Sequence, residues 1–239
     1  MEEKNYTAII LVIGNEILNG KTQDTNSQFM AEKIHKRGID VIRCITLPDN
    51  LNVLASEILI LSKMCDFLFA MGGIGSTPDD VTREAFAEAF GLKLVRNQDA
   101  ERVMREFLGE RANESRLKMA DLPEGCRLIP NPYFAAPGFI IENCYVFPGI
   151  PELLVAMYDE IKDSLPESDR FIRKLKVNYY EGDFSDLMLD LQNENPDVRV
   201  GSYPVFKNSD YKVELTFEGR DKVQVDRVTD EFKRRLGEL

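Results

Sequence analysis

The first part of the chain alternates between short apolar runs and segments in which apolar residues recur at helical spacing. The runs at 7–13, 39–45 and 67–71 are too short for buried helices and predict strands that are covered on both faces. A helical segment follows each of these runs. This β-α-β-α-β-α order predicts an α/β fold with a doubly wound, mostly parallel sheet and right-handed crossovers.

Capping residues and glycines indicate where several helices begin and end. Residues 25–28 fit a capping box for a helix that runs to Arg37, and Gly38 stands where a helix C-terminal glycine belongs. A later helix is predicted over 99–108. The residues that it is expected to turn inward are Val103, Met104, Phe107 and Leu108.

The middle of the chain predicts a hairpin and a further junction between a loop and a helix. The stretch 122–138 is rich in Pro and Gly and is expected to form loops with short strands, whereas 139–141 and 145–147 predict a hairpin. The second hairpin strand runs into residues 148–152. Pro151 in this segment suits the first turn of the following helix.

Residues 165–168 have the composition of a linker, which predicts two domains, 1–165 and 169–239. Beyond the linker the pattern changes to β-α-β-β-α and predicts a small α/β domain. Its element order is similar to that of KH modules, but no G-x-x-G clamp follows the first helix, so RNA binding is not expected. The predicted strands are 171–180, 198–203 and 211–217, and the predicted helices are 183–193 and 222–236.

The third apolar run leads into a glycine-rich and acidic loop, residues 72–80. Glycines allow a bend without side chains and let a ligand approach the backbone closely. Thr77, Asp79 and Asp80 are candidate N-caps for a helix over 81–90, whose first N–H groups would then point at an anion. The two aspartates add carboxylate oxygens, which suit a hard divalent cation. This pattern predicts a site for phosphate and metal.

The same loop also has a purely structural interpretation, because two glycines and an acidic helix start form a common turn. It matches neither the dinucleotide pattern G-x-G-x-x-G nor the P-loop, which needs a lysine. In a doubly wound sheet, ligands gather beyond the carboxyl ends of the strands. The turns at Gly14 and at Gly72-Gly73 are both expected there.

Composition is that of an ordinary globular protein, with 44% apolar and 30% charged residues. The net charge of −11 repels nucleic-acid phosphates, so nucleic acid is not an expected partner. No stretch reaches the ~18 apolar residues of a membrane helix, and the N-terminus does not resemble a signal peptide. Four widely spaced cysteines and a single histidine predict reduced, mostly buried thiols in a cytoplasmic protein.

Several motifs follow one another in order within residues 8–160 and resemble a known family. They are Gly14-Asn15-Glu16-Ile17-Leu18-Asn19-Gly20, Asp24-Thr25-Asn26, Gly72 through Asp80, Asn131-Pro132, Ala136-Pro137-Gly138-Phe139 and Pro148-Gly149-Ile150-Pro151-Glu152. The set resembles the molybdopterin-binding (MoaB/Mog-like) domain in its CinA-type branch, which includes the N-terminal domain of eukaryotic FAD synthetase. The segments 182–185, 200–204 and Lys207-Asn208 resemble the small domain that follows in this branch. Asn15 and Ser76 depart from the usual Thr and Pro.

The resemblance implies a choice between two activities. Mog-like relatives bind and adenylylate molybdopterin, whereas CinA-type relatives are similar to nucleotide pyrophosphatases that split ADP-ribose or FAD with Mg²⁺, Mn²⁺ or Co²⁺, sometimes aided by K⁺. It also implies a homodimer. Because the chain ends after the small domain, neither an amidase activity nor FAD synthesis is expected. We expect a metal-dependent nucleotide pyrophosphatase, with a molybdopterin enzyme and a non-catalytic nucleotide- or pterin-binding module as alternatives.

The resemblance also implies roles for individual residues. Asp80, with Asp79 or Glu16, would hold the metal and serve catalysis. Amides at Gly73, Gly75, Ser76 and Thr77 would stabilise negative charge. The remaining ligand-binding candidates are Gly14, Asn26, Gly72, Pro148 and Gly149.

Several of these residues have structural alternatives. Asp79 could be only a helix cap, Glu16 could only cap the next turn, and Asn26 could brace the first turn of its helix. Pro148-Gly149 could be only a chain reversal. His35 lies on a charged helix segment and is expected at the surface, so no Ser-His-Asp or Cys-His arrangement is predicted.

Overall fold

The computed structural model describes residues 5–133, 137–206 and 210–237. The chain forms two compact units, Met1–Pro166 and Glu167–Leu239. The motif residue Ala136 and the pair Lys207-Asn208 lie outside the described residues. No described helix is both long enough and apolar enough to cross a membrane.

The first unit is built on a six-stranded, mostly parallel sheet with the strand order β2-β1-β3-β8-β7-β6. Strands β2, β1, β3 and β8 run parallel to one another, and β7 is antiparallel to both of its neighbours. A separate antiparallel pair is formed by β4 and β5. The strands are β1 Thr7–Ile13, β2 Asp40–Leu47, β3 Phe67–Met71, β4 Leu94–Arg96, β5 Asp121–Pro123, β6 Arg127–Ile129, β7 Gly138–Ile141 and β8 Cys144–Phe147.

Helices cover both faces of this sheet, as a doubly wound fold requires. In β1, Ile9 and Leu11 contribute to a core on one face with α3, α4 and α5, whereas Ile10 and Val12 contribute to a core on the other face with α2 and α7. The helices are α1 Asn15–Leu18, α2 Asn26–Lys36, α3 Leu51–Ser62, α4 Thr82–Ala89, α5 Gln98–Leu108, α6 Glu114–Leu117 and α7 Pro151–Ile161. The continuous apolar strands follow from this two-sided burial.

The second unit has the predicted β-α-β-β-α order. Its three strands form an antiparallel sheet in the order β10-β11-β9. One core, formed around Phe184, Phe217 and Phe232, joins the sheet to its two helices. The elements are β9 Phe171–Val177, α8 Ser185–Glu194, β10 Arg199–Pro204, β11 Val213–Gly219 and α9 Lys222–Leu236.

Three local predictions in the first unit are wrong. Helix α2 has no capping box at Thr25, whose side chain makes no cap bond; instead Asp24 Oδ1 accepts a hydrogen bond of 3.0 Å from Ser27 N–H. Phe107 is exposed rather than turned inward, because Met104 and Ala100 supply the buried face of α5. Cys44 is exposed on the edge strand β2, and of the four free thiols only Cys144 is fully buried.

Candidate functional site

A cavity of about 620 Å³ opens where β1, β3 and β8 end. These strands are parallel neighbours, so their carboxyl ends meet at one edge of the sheet, the position at which ligands bind in such folds. The structure brings eleven of the twelve predicted site residues to this cavity. They are Gly14, Glu16, Gly72, Gly73, Gly75, Ser76, Thr77, Asp79, Asp80, Pro148 and Gly149.

The twelfth residue, Asn26, lies in a smaller adjoining pocket of about 70 Å³, which shares Glu16 and Gly149 with the main cavity. Asn26 Nδ2 donates a hydrogen bond of 2.8 Å to the Gly149 carbonyl, and its Oδ1 is buried without a partner among the described residues. The residue therefore braces the Pro148-Gly149 turn against the start of α2.

Gly72 is required by the close packing of the strand ends. Its φ of 110° lies in the region that favours glycine, and a Cβ placed there would stand 2.1 Å from the Ile13 carbonyl oxygen. A Cβ on Gly149 would in turn contact the Gly72 Cα at 3.4 Å. The three strand ends thus approach one another through backbone rather than through side chains.

The carbonyls of the glycine loop, residues 72–80, are held by the first turn of α4. Thr82 Oγ1 donates to the Gly72 carbonyl at 2.9 Å, and Thr82 N–H donates to the Gly73 carbonyl at 3.1 Å. Arg83 Nη2 donates to the Gly75 carbonyl at 2.9 Å. In a trans peptide the next N–H points opposite to the carbonyl, so the N–H groups of Gly73, Ile74 and Ser76 point away from α4.

Four successive N–H groups, those of residues 73–76, have no hydrogen-bond acceptor in the described part of the chain. All four residues line the cavity. Successive free backbone N–H groups in a loop form a concave anion-binding surface. We call these four groups the amide row.

Asp80 has a local role that the sequence did not reveal. Its Oδ2 accepts a hydrogen bond of 2.9 Å from Thr77 N–H and a second bond from the Thr77 hydroxyl. The Thr77 amide, which was predicted to bind the ligand, is therefore already occupied. A Cβ on Gly75 would stand 2.6 Å from the same Oδ2, so the carboxylate folds back over the glycine.

The predicted helix caps of α4 are also wrong. The helix begins at Thr82, and Val81 occupies its N-cap position without a side-chain bond. Asp79 is exposed on the loop that precedes the helix, where the nearby Thr77 hydroxyl and the residue's own backbone N–H favour the carboxylate and lower its pKa. Asp79 therefore remains ionised at neutral pH.

Four carboxylates line the cavity, those of Glu16, Asp49, Asp79 and Asp80. The Glu16 carboxylate lies directly over Gly14, where a Cβ would stand 2.7 Å from either oxygen. Asp49 Oδ2 accepts a hydrogen bond of 2.8 Å from Asn15 N–H, which ties the end of β2 to the end of β1. The residues that line the cavity in the described chain include no lysine, arginine or histidine.

These carboxylate oxygens could bind a divalent cation only together with other ligands, such as water or substrate phosphates. Among the described residues, no three His, Cys, Asp or Glu side chains converge on a point that could hold a metal ion. Mg²⁺ commonly binds through one or two carboxylates and completes its shell with water and substrate phosphates. Of the predicted ligands, Asp80 with either Asp79 or Glu16 fits that arrangement, in which water and the substrate would supply the remaining oxygens.

Three polar residues at the site are not among the predicted ones. Asp49 is the first, although its position after a parallel strand is a signal that it reaches this edge of the sheet. Thr82 and Arg83 were assigned only to a helix. No local pattern distinguishes them from surface residues, yet both are buried against the glycine loop.

Comparison with known proteins assigns both units. Residues 9–167 match the family described as "probable molybdopterin binding domain", and residues 169–239 match the FAD synthase middle domain. A protein of Archaeoglobus fulgidus is 36% identical over 96% of this chain and 98% of its own length. The solved structure of the protein CinA of Thermoplasma acidophilum superimposes with a TM-score of 0.64 and 31% identity, over 67% of this chain and 98% of that chain.

A probable FAD synthase of Caenorhabditis elegans is 32% identical over 89% of this chain. The match spans only 46% of that enzyme's own length. The family assignment agrees with the order of the motifs, the parallel sheet and the position of the cavity. The chain therefore belongs to the molybdopterin-binding domain family, carries the FAD synthase middle domain after it, and is similar to CinA-like proteins and to a probable FAD synthase.

Proposed function

We propose that the protein is a metal-dependent nucleotide pyrophosphatase that acts on ADP-ribose, FAD or a related dinucleotide. The observation that carries this proposal is the amide row, which faces the same cavity as four carboxylates. Backbone N–H groups attract a phosphate, whereas the carboxylates repel it. A divalent cation held by the carboxylates would offset this repulsion and allow a phosphate to bind in the cavity.

The residues have distinct tasks in this proposal. Asp80, together with Asp79 or Glu16, would hold the cation, for which Mg²⁺, Mn²⁺ and Co²⁺ are candidates, with K⁺ as a further ion. When bound, the cation neutralises pyrophosphate charge and activates water. The amides of Gly73, Gly75 and Ser76 bind phosphoryl oxygens and stabilise the additional negative charge of the transition state.

The size of the cavity supports a small-molecule ligand. Its volume of about 620 Å³ lies within the range of pockets that bind ligands of nucleotide or cofactor size. The glycines at its wall leave room for phosphates to approach the backbone. Gly14, Gly72, Pro148 and Gly149 form this wall, and Asn26 holds the last of them in place.

The test is hydrolysis of ADP-ribose, FAD, NADH and ATP with each metal in turn. We expect wild type to release AMP from a dinucleotide and Asp80→Asn to lower the rate by about 100-fold, because the variant loses a metal ligand. An asparagine side-chain oxygen can still accept the two hydrogen bonds that Thr77 donates, so the variant should keep the conformation of the loop. Asp99→Asn, at an exposed carboxylate paired with Arg102, is the matched control.

If wild type hydrolyses none of these compounds with Mg²⁺, Mn²⁺ or Co²⁺, the proposed pyrophosphatase activity is refuted. The family assignment of residues 9–167 favours molybdopterin binding or adenylylation as the second candidate. Isothermal titration with molybdopterin tests that function. Steady turnover that disappears in Asp80→Asn would exclude the third candidate, a non-catalytic binding module.

A further inference from the structure

Arg83 is a buried cation directly behind the glycine loop. Its side chain belongs to the first turn of α4 and is only 4% exposed. Nη2 donates to the Gly75 carbonyl at 2.9 Å, and Nη1 donates to the Lys118 carbonyl. Its Nε is buried without an acceptor in the described chain. The guanidinium thus joins two segments, residues 72–80 and 118–119, that both reach the cavity.

No carboxylate among the described residues forms an ion pair with Arg83, whose direct partners are the two carbonyls. Burial lowers its pKa, and the nearby charges of Glu84, Asp80 and Asp121 act in the opposite direction. An arginine keeps its proton in such surroundings. A buried charge without a directly bonded counter-ion is costly, so its position calls for a compensating role.

The Gly75–Ser76 peptide connects this charge to the cavity. The carbonyl of the peptide accepts the Arg83 bond, and its N–H points the opposite way. Hydrogen bonds in a chain polarise one another, so a charged donor at the carbonyl makes the Ser76 N–H a stronger donor. No basic residue lines the acidic cavity in the described chain, which makes Arg83 the positive charge that is bonded to its wall.

We propose that Arg83 is a positioning residue for an anionic ligand, which orients the Ser76 amide and supplies the positive charge behind the amide row. The ligand chemistry is a phosphate or pyrophosphate group. This inference rests on the proposed function only in taking the glycine loop as the phosphate site. It requires anion binding and does not require hydrolysis.

The experiment is isothermal titration of the full chain with inorganic pyrophosphate, in the presence of Mg²⁺ and in its absence. The variants are Arg83→Lys, which keeps the charge, and Arg83→Met, which removes it at similar volume. Arg37→Met is the matched control, since the Arg37 guanidinium also donates to two carbonyls, those of Leu165 and Pro166, away from the cavity. Thermal unfolding of each variant is measured alongside.

We expect Arg83→Met to weaken pyrophosphate binding by about tenfold or more, as the loss of a bond to a charged group predicts. Arg83→Lys should retain most of the affinity, and Arg37→Met should retain all of it. If Arg83→Met is too unstable to titrate, Arg83→Gln, which keeps amide donors without the charge, takes its place.

Three results would overturn the inference. One is wild-type affinity in a folded Arg83→Met. Another is an equal loss of pyrophosphate affinity in Arg83→Met and Arg83→Lys. Such a result would mean that the charge of Arg83 has no part in binding and that the side chain only braces the loop. The third is a wild type that binds no pyrophosphate. Wild type that binds pyrophosphate but hydrolyses no dinucleotide would refute the proposed function and leave this inference standing.

Discussion

Gly72 shows how a single residue fixes the shape of the cavity. It joins β3 to the glycine loop, donates its N–H to the Phe147 carbonyl at 3.0 Å and lies against Ile13. The conformation and the contact both exclude a side chain. The neighbouring strand ends can therefore meet only if this position is glycine.

We predict that Gly72→Ala destabilises the first unit by about 3 kcal/mol or more, because the new methyl group would meet a backbone oxygen that cannot move aside. Gly91→Ala is the matched control. Gly91 also has a positive φ, 64°, but a Cβ there meets nothing within 4 Å, so only the backbone strain of about 1 kcal/mol applies. Urea unfolding measures the free energy of unfolding of both variants. Equal destabilisation of the two would show that the close contact with Ile13 adds nothing to the cost of Gly72→Ala.

At the scale of one element, helix α4 differs most from the sequence prediction. Thr77, Asp79 and Asp80 were expected to cap it, but the Asp80 carboxylate bonds Thr77 inside the loop and the helix starts only at Thr82. The free N–H groups therefore belong to the loop and not to the first helical turn. The helix contributes Thr82 and Arg83, which hold the loop carbonyls.

Helix α2 provides a test of the cap that replaced the predicted one. We predict that Asp24→Ala lowers the free energy of unfolding by about 1 kcal/mol, because Ser27 N–H loses its acceptor. Thr25→Ala, at an exposed side chain without a cap bond, should change it by less than about 0.5 kcal/mol. Chemical unfolding of the two variants decides between the caps. A larger loss of unfolding free energy in Thr25→Ala than in Asp24→Ala would show that Thr25 caps the helix, as the capping box predicts.

At the scale of the whole molecule, the described residues that line the cavity all belong to the first unit, Met1–Pro166. This unit has its own sheet and two cores, and its length is sufficient for an independent domain. The homodimer implied by the family resemblance stays a prediction.

We predict that the fragment Met1–Pro166 unfolds cooperatively and binds pyrophosphate with the affinity of the full chain, since it contains all the described residues that line the cavity. Circular dichroism and isothermal titration measure the two properties. The matched fragment Glu167–Leu239 should fold around its own core but bind no pyrophosphate. A folded first fragment without pyrophosphate affinity would show that the cavity alone is not sufficient.

Much of the architecture could be predicted because it depends on local patterns. Apolar runs located β1 and β3 at their observed bounds, and helical spacing located α9 at its observed bounds. Phe107 shows where the pattern fails, since its apolar side chain has helical spacing but helix α5 buries Met104 and Ala100 instead. Which apolar residue a helix buries depends on the neighbouring elements that it meets.

Sequence patterns alone specify the order of strands and helices, and they place the glycines and the acidic loop at the carboxyl end of a buried strand. These features follow from side-chain periodicity and from backbone conformations that only glycine adopts readily. The folded structure was needed to show that the N–H groups of residues 73–76 have no acceptor in the described chain, that Asp49 joins the cavity and that Arg83 is buried behind it. These outcomes depend on contacts between residues far apart in the chain, such as Arg83 with Lys118, and no local pattern specifies such contacts.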